Sequence, residues 1–428
     1  MIRLPTDLPE LHAMIAVELE RRYREVSAPE GLSGVLAWHW EQAGNWRQAT
    51  EASLMCAEEL IQRRDGTRAQ RWCERALEYQ ERLPREERGD LELRALLLAW
   101  TVLDFGGQHR EALEYARRLY KLAEAQDAPE MRITALLALG RTHRALGSMQ
   151  AAETELLRAI DLARLHNLPS LEADALFHLG KLRQLQGKHF EAIQHFTYAQ
   201  AQDAALEDQA RMAQVFTGLG DVYRALGAPR EALNYYTRAL QLEHSLPGVL
   251  GAAILQEKLA LCYIDLARPQ EALDAEQESL RLRQSINDRV GIGRAHSVLG
   301  SILARTGDHE HALEHYNQAL EVEQTLQGVR GLGMIYSHIG DSYRALGDYA
   351  RASNAYQQSL SIAQQQDDKI GLALGHERLG NLAREWNDRA TAGYHYQEAL
   401  HIRQQLGHSD EVHRLQRQID KLLEDQMM

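Results

Sequence analysis

The sequence predicts an all-α protein, an α-solenoid of stacked helix hairpins. The octapeptide GDVYRALG at 220–227 returns as GDSYRALG at 340–347, and GRTHRALG at 140–147 is a close variant. A small residue also recurs every 40 residues, at Gly140, Gly180, Gly220, Ala260, Gly300, Gly340 and Gly380. Apolar residues surround these positions at the spacing of an amphipathic helix. Repetition at a fixed period of this length indicates a repeat architecture.

We call these seven small residues the rungs, and their recurrence predicts close helix packing. Glycine inside a helix costs about 1 kcal/mol relative to alanine, so six of them need a compensating reason. We expect two helices to approach at each rung, where a side chain would collide. Further small residues, 12 and 19 positions later, mark the second helix of each hairpin: Ala152, Ala192, Ala232, Ala272, Ala312, Ala352 and Ala392, then Ala159, Ala199, Ala239, Ser279, Ala319, Ser359 and Ala399.

Turn residues separate the two helices of each hairpin. The segment 227–229 is Gly-Ala-Pro, with Pro229 where a helix start tolerates proline. Other second helices follow residues that are good N-caps: Ser148, Asp308, Asp348 and Asp388. In one hairpin Ala260 stands at the rung and Ala267 replaces the turn glycine, so we expect this hairpin to pack or bend differently.

These residues resemble the tetratricopeptide repeat family, in a longer variant with a 40-residue period. Leu219 and Gly220 match the apolar-small pair of the family's first helix, and Tyr223 matches its aromatic residue. Gly227 matches the turn, and Tyr236 matches the aromatic residue of the second helix. The resemblance implies a right-handed superhelix whose first helices line a concave groove, and it implies protein binding.

The pattern divides the chain into four parts. Residues 1–92 are degenerate helical repeats that cap the N-terminal end, beginning with a helix from Leu8 to Val26. Residues 93–132 form a divergent unit, residues 133–406 form seven regular units, and residues 407–428 form a C-terminal capping helix. Five of the six tryptophans lie in the first quarter, where we interpret them as bulky side chains that fill an irregular end.

The N-terminal segments LHAMIAVELERRYREV and LAWHWEQAGNWRQATEASLMCAEEL support a second resemblance. They are similar to the start of the helical arm in STAND-type signalling ATPases, the family of the MalT- and AfsR-like regulators. A phosphate-binding GxxxxGK[ST] string is missing, because the nearest match at 179–182 is Leu-Gly-Lys-Leu. The resemblance therefore implies only the sensor arm, without the ATPase.

Composition narrows the function classes. The formal net charge of -13 argues against direct binding to nucleic acid or to an anionic membrane. The N-terminus has no secretory signal pattern, and no apolar run is long enough to span a bilayer. Three scattered cysteines, Cys56, Cys73 and Cys262, suit a reducing compartment and buried positions. We expect a cytoplasmic protein.

The groove-facing positions of the family's first helix bracket the rung. Carried over to this chain, they are Arg141, Arg144, Asp174, His178, Lys181, Asp221, Arg224, Glu257, Lys258, Arg294, Arg305, His338, Asp341, Arg344, Glu377, Arg378, Asn381 and Arg384. Cations slightly outnumber carboxylates, which favours an acidic peptide or a chain-end carboxylate as the ligand. Alternatively, Asp221 with Arg224, and Asp341 with Arg344, satisfy each other at i,i+3 spacing.

Three specific sites are not favoured. The family's carboxylate clamp needs lysines and asparagines where this chain has Arg141, Lys181 and Asp221, with asparagine only at Asn381, so recognition of a chaperone tail is not expected. His309, His311 and His315 cluster at one turn, but without a completing ligand a solvated face is the better interpretation than a metal site. No HExxH, GxSxG or phosphate loop is present, so we expect neither catalysis nor a cofactor.

The sequence therefore predicts a non-enzymatic protein-protein interaction module that binds a peptide segment of a partner in its groove. The alternative is the effector-sensing arm of a STAND-type regulator that controls transcription. A third hypothesis, a self-assembling scaffold, leaves homo-oligomerisation open.

Overall fold

The computed structural model describes residues 7–23, 31–63, 65–205, 207–246, 248–325 and 331–427. All regular structure in these ranges is α-helical, in 21 helices, which confirms the all-α solenoid class. The first helix ends at Tyr23. The sequence prediction that it continues to Val26 lies outside the described residues.

The helices follow one another with short turns. Their bounds are α1 Leu8–Tyr23, α2 Leu32–Gln42, α3 Trp46–Gln62, α4 Gly66–Gln80, α5 Arg85–Phe105, α6 His109–Ala125, α7 Pro129–Ala145, α8 Met149–Leu165, α9 Pro169–Leu185, α10 His189–Ala205, α11 Gln209–Ala225, α12 Pro229–Glu243, α13 Leu250–Asp265, α14 Pro269–Ser285, α15 Arg289–Arg305, α16 His309–Thr325, α17 Leu332–Ala345, α18 Tyr349–Gln365, α19 Lys369–Glu385, α20 Arg389–Gln405 and α21 Ser409–Met427.

The chain forms two compact units, Met1–Val222 and Tyr223–Met428. In the first unit α5 pairs with α6, α7 with α8 and α9 with α10. In the second unit α13 pairs with α14, α15 with α16, α17 with α18 and α19 with α20, and α21 packs on α20. The odd-numbered member of each pair is the first helix. First helices of neighbouring hairpins also contact one another directly, as α7 does with α9 and α17 with α19.

Five of the six rung glycines lie against a large side chain of their own second helix, 16 residues later. A Cβ added to Gly140 would lie 2.7 Å from Leu156 Cγ, and one added to Gly380 would lie 2.7 Å from Tyr396 Cδ1. The rings of Phe196, Tyr316 and Tyr356 crowd Gly180, Gly300 and Gly340 in the same way. These distances are too short for real carbon atoms, so the packing explanation of the rungs is confirmed.

Turns and caps agree with the sequence except at one residue. Gly147, Gly187, Gly227, Gly307, Gly347 and Gly407 all have positive φ. The Asp348 and Asp388 carboxylates accept the backbone N–H of Arg351 and Thr391, as N-caps do. Asp308 caps its helix too, through the backbone N–H of His311 at 3.3 Å. The prediction for Ser148 is wrong in one respect, because it occupies the N-cap position but its hydroxyl makes no capping bond.

The hairpin of α13 and α14 keeps the common turn but has a different interior. Ala267 adopts φ 55°, the left-handed conformation that glycine adopts in other turns. Beneath Ala260, where Tyr316, Tyr356 and Tyr396 stand in other hairpins, the second helix carries Glu276. This residue is 0% exposed, and no described residue forms a hydrogen bond with its carboxyl oxygens. Burial and the negative charge of Glu257 raise the pKa of Glu276 to about 8.

The N-terminal tryptophans are not equivalent. Trp100 is buried, and its indole N–H donates to the Thr142 hydroxyl at 2.9 Å. Trp40 is buried as well and donates to the Glu20 carboxylate at 3.0 Å. Trp38 is half exposed. The interpretation of the tryptophans as filling side chains therefore suits Trp40 and Trp100 better than Trp38.

Two further expectations concern the whole chain. In the ranges that the structure describes, no helix has the length and apolarity needed to cross a membrane. Cys56, Cys73 and Cys262 are buried, as the sequence predicts, and they form no disulfide among the described residues.

The rung contact predicts opposite effects for two alanine substitutions within one hairpin. Gly380→Ala should lower the free energy of unfolding by up to about 2 kcal/mol, because the new methyl overlaps the Tyr396 ring. Gly393→Ala, on the second helix of the same hairpin and open to space, should raise it by about 0.5–1 kcal/mol. Chemical denaturation midpoints of both variants test the contact. Equal midpoint shifts would contradict it.

Glu276 predicts a pH dependence of stability. The unfolded chain releases this proton near the ordinary pKa of 4.5, whereas the folded chain holds it up to about pH 8. The free energy of unfolding should therefore fall as pH rises between these values, by up to about 1.4 kcal/mol per pH unit. Burial also raises the pKa of Asp203, to about 7, which gives a slope of the same sign. The measured quantity is thus the difference between wild type and Glu276→Gln, and parallel profiles would contradict the prediction.

Candidate partner-binding face

One stripe of each first helix carries the predicted site residues. Successive helical residues are rotated by about 100°, so positions ten, six and two before the rung and one and four after it lie within an arc of about 120°. The rung itself points to the second helix of its own hairpin. The stripe is centred about 100° from the direction of that second helix, and we call it the first-helix face.

In the first unit, two of the predicted cations pair with carboxylates of a neighbouring first helix. Arg141 Nη2 lies 2.7 Å from Asp104 Oδ2, and its guanidinium covers the Trp100 ring at 4.7 Å. Lys181 Nζ lies 3.6 Å from Asp221 Oδ2. Both contacts join residues about one repeat apart, so they hold successive first helices in register.

The second unit repeats this arrangement. Arg224 Nε is 2.8 Å from Asp265 Oδ2, and Arg344 Nη1 is 3.5 Å from Glu385 Oε1. Further ion pairs between neighbouring first helices join Arg294 to Glu257, Arg378 to Asp341 and Arg414 to Glu377. Most predicted groove cations of this unit are thus neutralised within the protein.

These contacts correct two sequence expectations. Asp341 does not pair with Arg344, nor Asp221 with Arg224, since each bonds to a neighbouring repeat instead. The surplus of positive charge on the face is also smaller than the sequence predicts. The carboxylates that neutralise these arginines, Asp104, Asp265 and Glu385, were not predicted as site residues. Each lies four or five residues after a position of the 40-residue rung period. That shared helical phase is the signal that could have identified them.

The residues directly after the rungs have an additional internal role. Asp341 accepts the Tyr356 hydroxyl at 2.7 Å, and Asn381 accepts the Tyr396 hydroxyl at 2.8 Å. Burial, with the nearby Asp341 carboxylate, raises the pKa of the Tyr356 phenol. These predicted site residues therefore anchor the ring beneath the rung and have less capacity for a partner.

The remaining predicted residues of the second unit differ in exposure. Lys258 lies over the Tyr236 ring at 5.7 Å. His338 stacks on Tyr316 with ring centroids 5.5 Å apart, and burial lowers its pKa. Arg305 and Arg384 are exposed at the C-terminal ends of α15 and α19. With Arg294, whose side chain is 57% exposed, they are accessible cations of the face in this unit.

Arg144 and His178 form a distinct pair in the first unit. In the described part of the chain, neither Arg144 Nε nor His178 Nδ1 has a hydrogen-bond partner, although both atoms are buried. Burial lowers the pKa of Arg144, and the charge of Arg141 lowers it further. Burial also holds the pKa of His178 well below its usual range, assisted by the neighbouring cations Arg141, Arg144, Lys181 and Arg211.

An apolar row on the second unit's face was missed by the sequence reasoning. Ile254, Met334 and Leu374, each six residues before a rung, are 36%, 66% and 38% exposed. Val290 and Ile370, ten residues before a rung, are about half exposed. The first unit has Thr134, Asp174 and Gln214 at the same register. The row could have been found by comparing one register position across repeats.

The histidine cluster separates into different environments. His311 is exposed and bonds to Asp308 at 2.8 Å, which raises the His311 pKa. His315 is half-buried and lies 3.0 Å from His296, Nδ1 to Nδ1, so its assignment to a solvated face is wrong. Across the described ranges, no group of three or more side chains is arranged to hold a metal ion.

The ion pairs between repeats predict unequal costs for two carboxylate deletions. Asp341→Ala should lower the free energy of unfolding by about 1–3 kcal/mol, because the Tyr356 hydroxyl and Arg378 lose their acceptor. Glu385→Ala removes a more solvated pair with Arg344 and should cost less than about 1 kcal/mol. Denaturation of both variants checks this order, and a larger loss for Glu385→Ala would contradict it.

Known structures with this architecture were found by comparison. The chain is 17% identical to the apo form of RapI, covering 78% of this chain and 97% of RapI, with a TM-score of 0.58. It is 12% identical to the apo form of the quorum sensor NprR from B. thuringiensis, and the match covers 83% of this chain and 97% of NprR with a TM-score of 0.57. The chain is 16% identical to a Rap protein complexed with competence and sporulation factor, and the match covers 78% of this chain and 98% of the Rap chain with a TM-score of 0.52. At these identities the likeness concerns the fold.

Sequence comparison gives the family. No curated protein matches the chain by sequence. A tetratricopeptide repeat model matches residues 171–242, 251–324 and 331–405, and a second such model matches residues 133–164. These ranges cover more than half of the chain and coincide with the hairpins whose rungs and rings are described above. The chain therefore belongs to the tetratricopeptide repeat family, whose repeats are protein-protein interaction modules.

Proposed function

We propose that this protein is a non-enzymatic adaptor that binds a peptide segment of a partner protein along its first-helix face. The observation that carries the proposal is the exposed apolar row of the second unit. Ile254, Met334 and Leu374 occupy the same register on α13, α17 and α19. Aligned exposed apolar side chains on a folded surface mark interaction sites.

The spacing of the row suits a peptide. Packed helices are about 8–10 Å apart, so side chains at one register on successive first helices form a series of contacts at roughly that interval. An amphipathic helix or an extended segment presents its own apolar side chains at comparable intervals. Arg294 occupies the same register on α15 and interrupts the row, which gives the ligand one polar position among apolar ones.

The charged residues of the first-helix face favour a rigid binding surface with a modest preference for ligands that carry carboxylates. Because most cations are bonded to carboxylates of neighbouring repeats, they fix the geometry of the face more than they attract a ligand. Arg305 and Arg384 are exposed beside the row. A partner with carboxylates next to its apolar anchors would match them.

We further propose a cytoplasmic location and no cofactor, metal or nucleic acid as partner. Cys56, Cys73 and Cys262 are buried and form no disulfide among the described residues, which suits a reducing compartment. Whether the chain associates with a second copy of itself is decided by measuring its oligomeric state.

The alternative function, an effector-sensing arm of a STAND-type regulator, has one specific supporting observation. Leu11, Met14 and Val17 are exposed on α1, within the segment that resembles the start of such an arm. Another domain of a regulator could pack on these side chains. This alternative places the functional contact at the N-terminal end instead of on the second unit's face.

Peptide display against the full chain, followed by affinity measurements, tests the proposal. Met334→Asp and Leu374→Asp should each weaken a selected peptide at least about tenfold, because they place a charge in the apolar row. Met55→Asp, at a residue 53% exposed on α3, is the matched control and should leave binding unchanged.

Two outcomes would contradict peptide binding along the row. Equal affinity of wild type and both row variants would exclude the row as the binding site. Loss of binding in Val17→Asp, with full binding in Met334→Asp, would favour the alternative function.

A further inference from the structure

Arg144 departs from the ion-pairing pattern of the first-helix face. Like Arg224 and Arg344, it lies four residues after a rung glycine. Those two arginines pair with carboxylates 41 residues later on the next first helix, Asp265 and Glu385. The residue 41 positions after Arg144 is Leu185, which is 59% exposed. The register thus places a leucine where the repeats of the second unit supply an acid.

His178 departs from the pattern in the same place. In the second unit, Asp341 follows a rung and bonds to Arg378, 37 residues later. The equivalent residues in the first unit are Arg141 and His178, which bring a cation and an imidazole together. Two positions that hold a carboxylate and an arginine in the second unit thus hold an arginine and an imidazole here, and the nearby Asp104 carboxylate is bonded to Arg141.

The nearby carboxylates are already bonded to other cations. Asp104 bonds to Arg141 and Asp221 to Lys181, while Asp174, Asp203 and Asp208 all contact Arg211. Arg144 therefore carries a desolvated positive charge without an ion-pair partner among the described residues. Such a charge is costly to bury unless a counter-ion completes it.

We propose that Arg144 and His178 form a subsite for an oxyanion, a carboxylate or phosphate group of a peptide bound along the first unit's part of the first-helix face. The proposal rests on the proposed function, because it takes peptide binding on first helices as given. A guanidinium binds such groups through paired N–H donors, and the imidazole adds a further donor. The exposed Leu185 side chain lies at the register next to Arg144 and provides an apolar edge for the aliphatic part of the ligand.

The subsite also gives His178 a function as a reporter. The surrounding cations that depress its pKa are Arg141, Arg144, Lys181 and Arg211. An anion placed among them offsets their charge and raises the His178 pKa. Anion binding is therefore visible as a shift in the titration of a single imidazole.

The test is an NMR titration of the histidine rings of the full chain with inorganic phosphate and, separately, with acetate. The resonance of His178 is assigned by its loss in His178→Gln. We expect saturable binding that moves this resonance and raises its titration midpoint. Arg144→Gln should weaken binding about tenfold. Arg344→Gln, at the same register but already paired with Glu385, should leave it unchanged.

Leu185→Glu provides a second test that does not depend on removing a cation. It places a glutamate at the register where Glu385 pairs with Arg344. Arg144 then gains an internal counter-ion, so anion binding should be lost. Leu185→Gln introduces a side chain of the same size as glutamate but without charge, so this variant should bind the anion as wild type does. The exposed position of Leu185 makes both changes compatible with folding.

The outcomes separate the subsite from the proposed function. Stronger binding of phosphate than acetate assigns the subsite to a phosphoryl group, and the reverse assigns it to a carboxylate. Equal anion affinity in wild type, Arg144→Gln and Leu185→Glu overturns the subsite, even if peptides still bind the apolar row. Anion binding that depends on Arg144, without any effect of Met334→Asp on peptides, retains the subsite and rejects the row.

Discussion

The contact between a rung and the large side chain beneath it is the constraint on which the other features depend. Because Gly380 has no side chain, the Tyr396 ring lies directly against the first helix, and the ring in turn reaches Asn381 with its hydroxyl. The same contact at Gly340 fixes Tyr356 and Asp341. Repeating this contact gives each hairpin the same internal geometry, so equivalent residues of successive first helices meet at equivalent places.

That constant register determines how charge is arranged. Side chains 37 to 41 residues apart come together on neighbouring first helices, so a substitution at one repeat position affects a partner in the next repeat. Where the register brings Arg344 to Glu385, the charges neutralise each other and stabilise the stack. Where it brings Arg144 to Leu185, a charge remains for a ligand. The first helices of the two units differ by substitutions within one geometry. The second unit has an apolar row, whereas the first has Arg144 and His178 without an ion-pair partner among the described residues.

Much of this geometry was predictable and some was not. Glycine rungs, glycine turns and aspartate caps follow from local conformational rules, and the structure confirms them. The predicted pairing of Asp341 with Arg344 is wrong because a long arginine side chain reaches the neighbouring helix as easily as its own preceding turn. Glu276 went unnoticed because nothing in its local sequence distinguishes a buried glutamate from a solvated one. Only its alignment with Tyr316, Tyr356 and Tyr396 does so.

The sequence by itself determined the helices, their 40-residue repetition, the close contacts at the rungs and membership of the tetratricopeptide repeat family. These properties are encoded by residue size and backbone preference, which act within a few turns of the chain. Only the tertiary structure decided which charges are neutralised, which apolar residues remain exposed and where, among the described residues, Arg144 and His178 lie without an ion-pair partner. The physical reason is that pairing, burial and pKa depend on side chains brought together from different repeats, and their meeting points exist only once the hairpins stack.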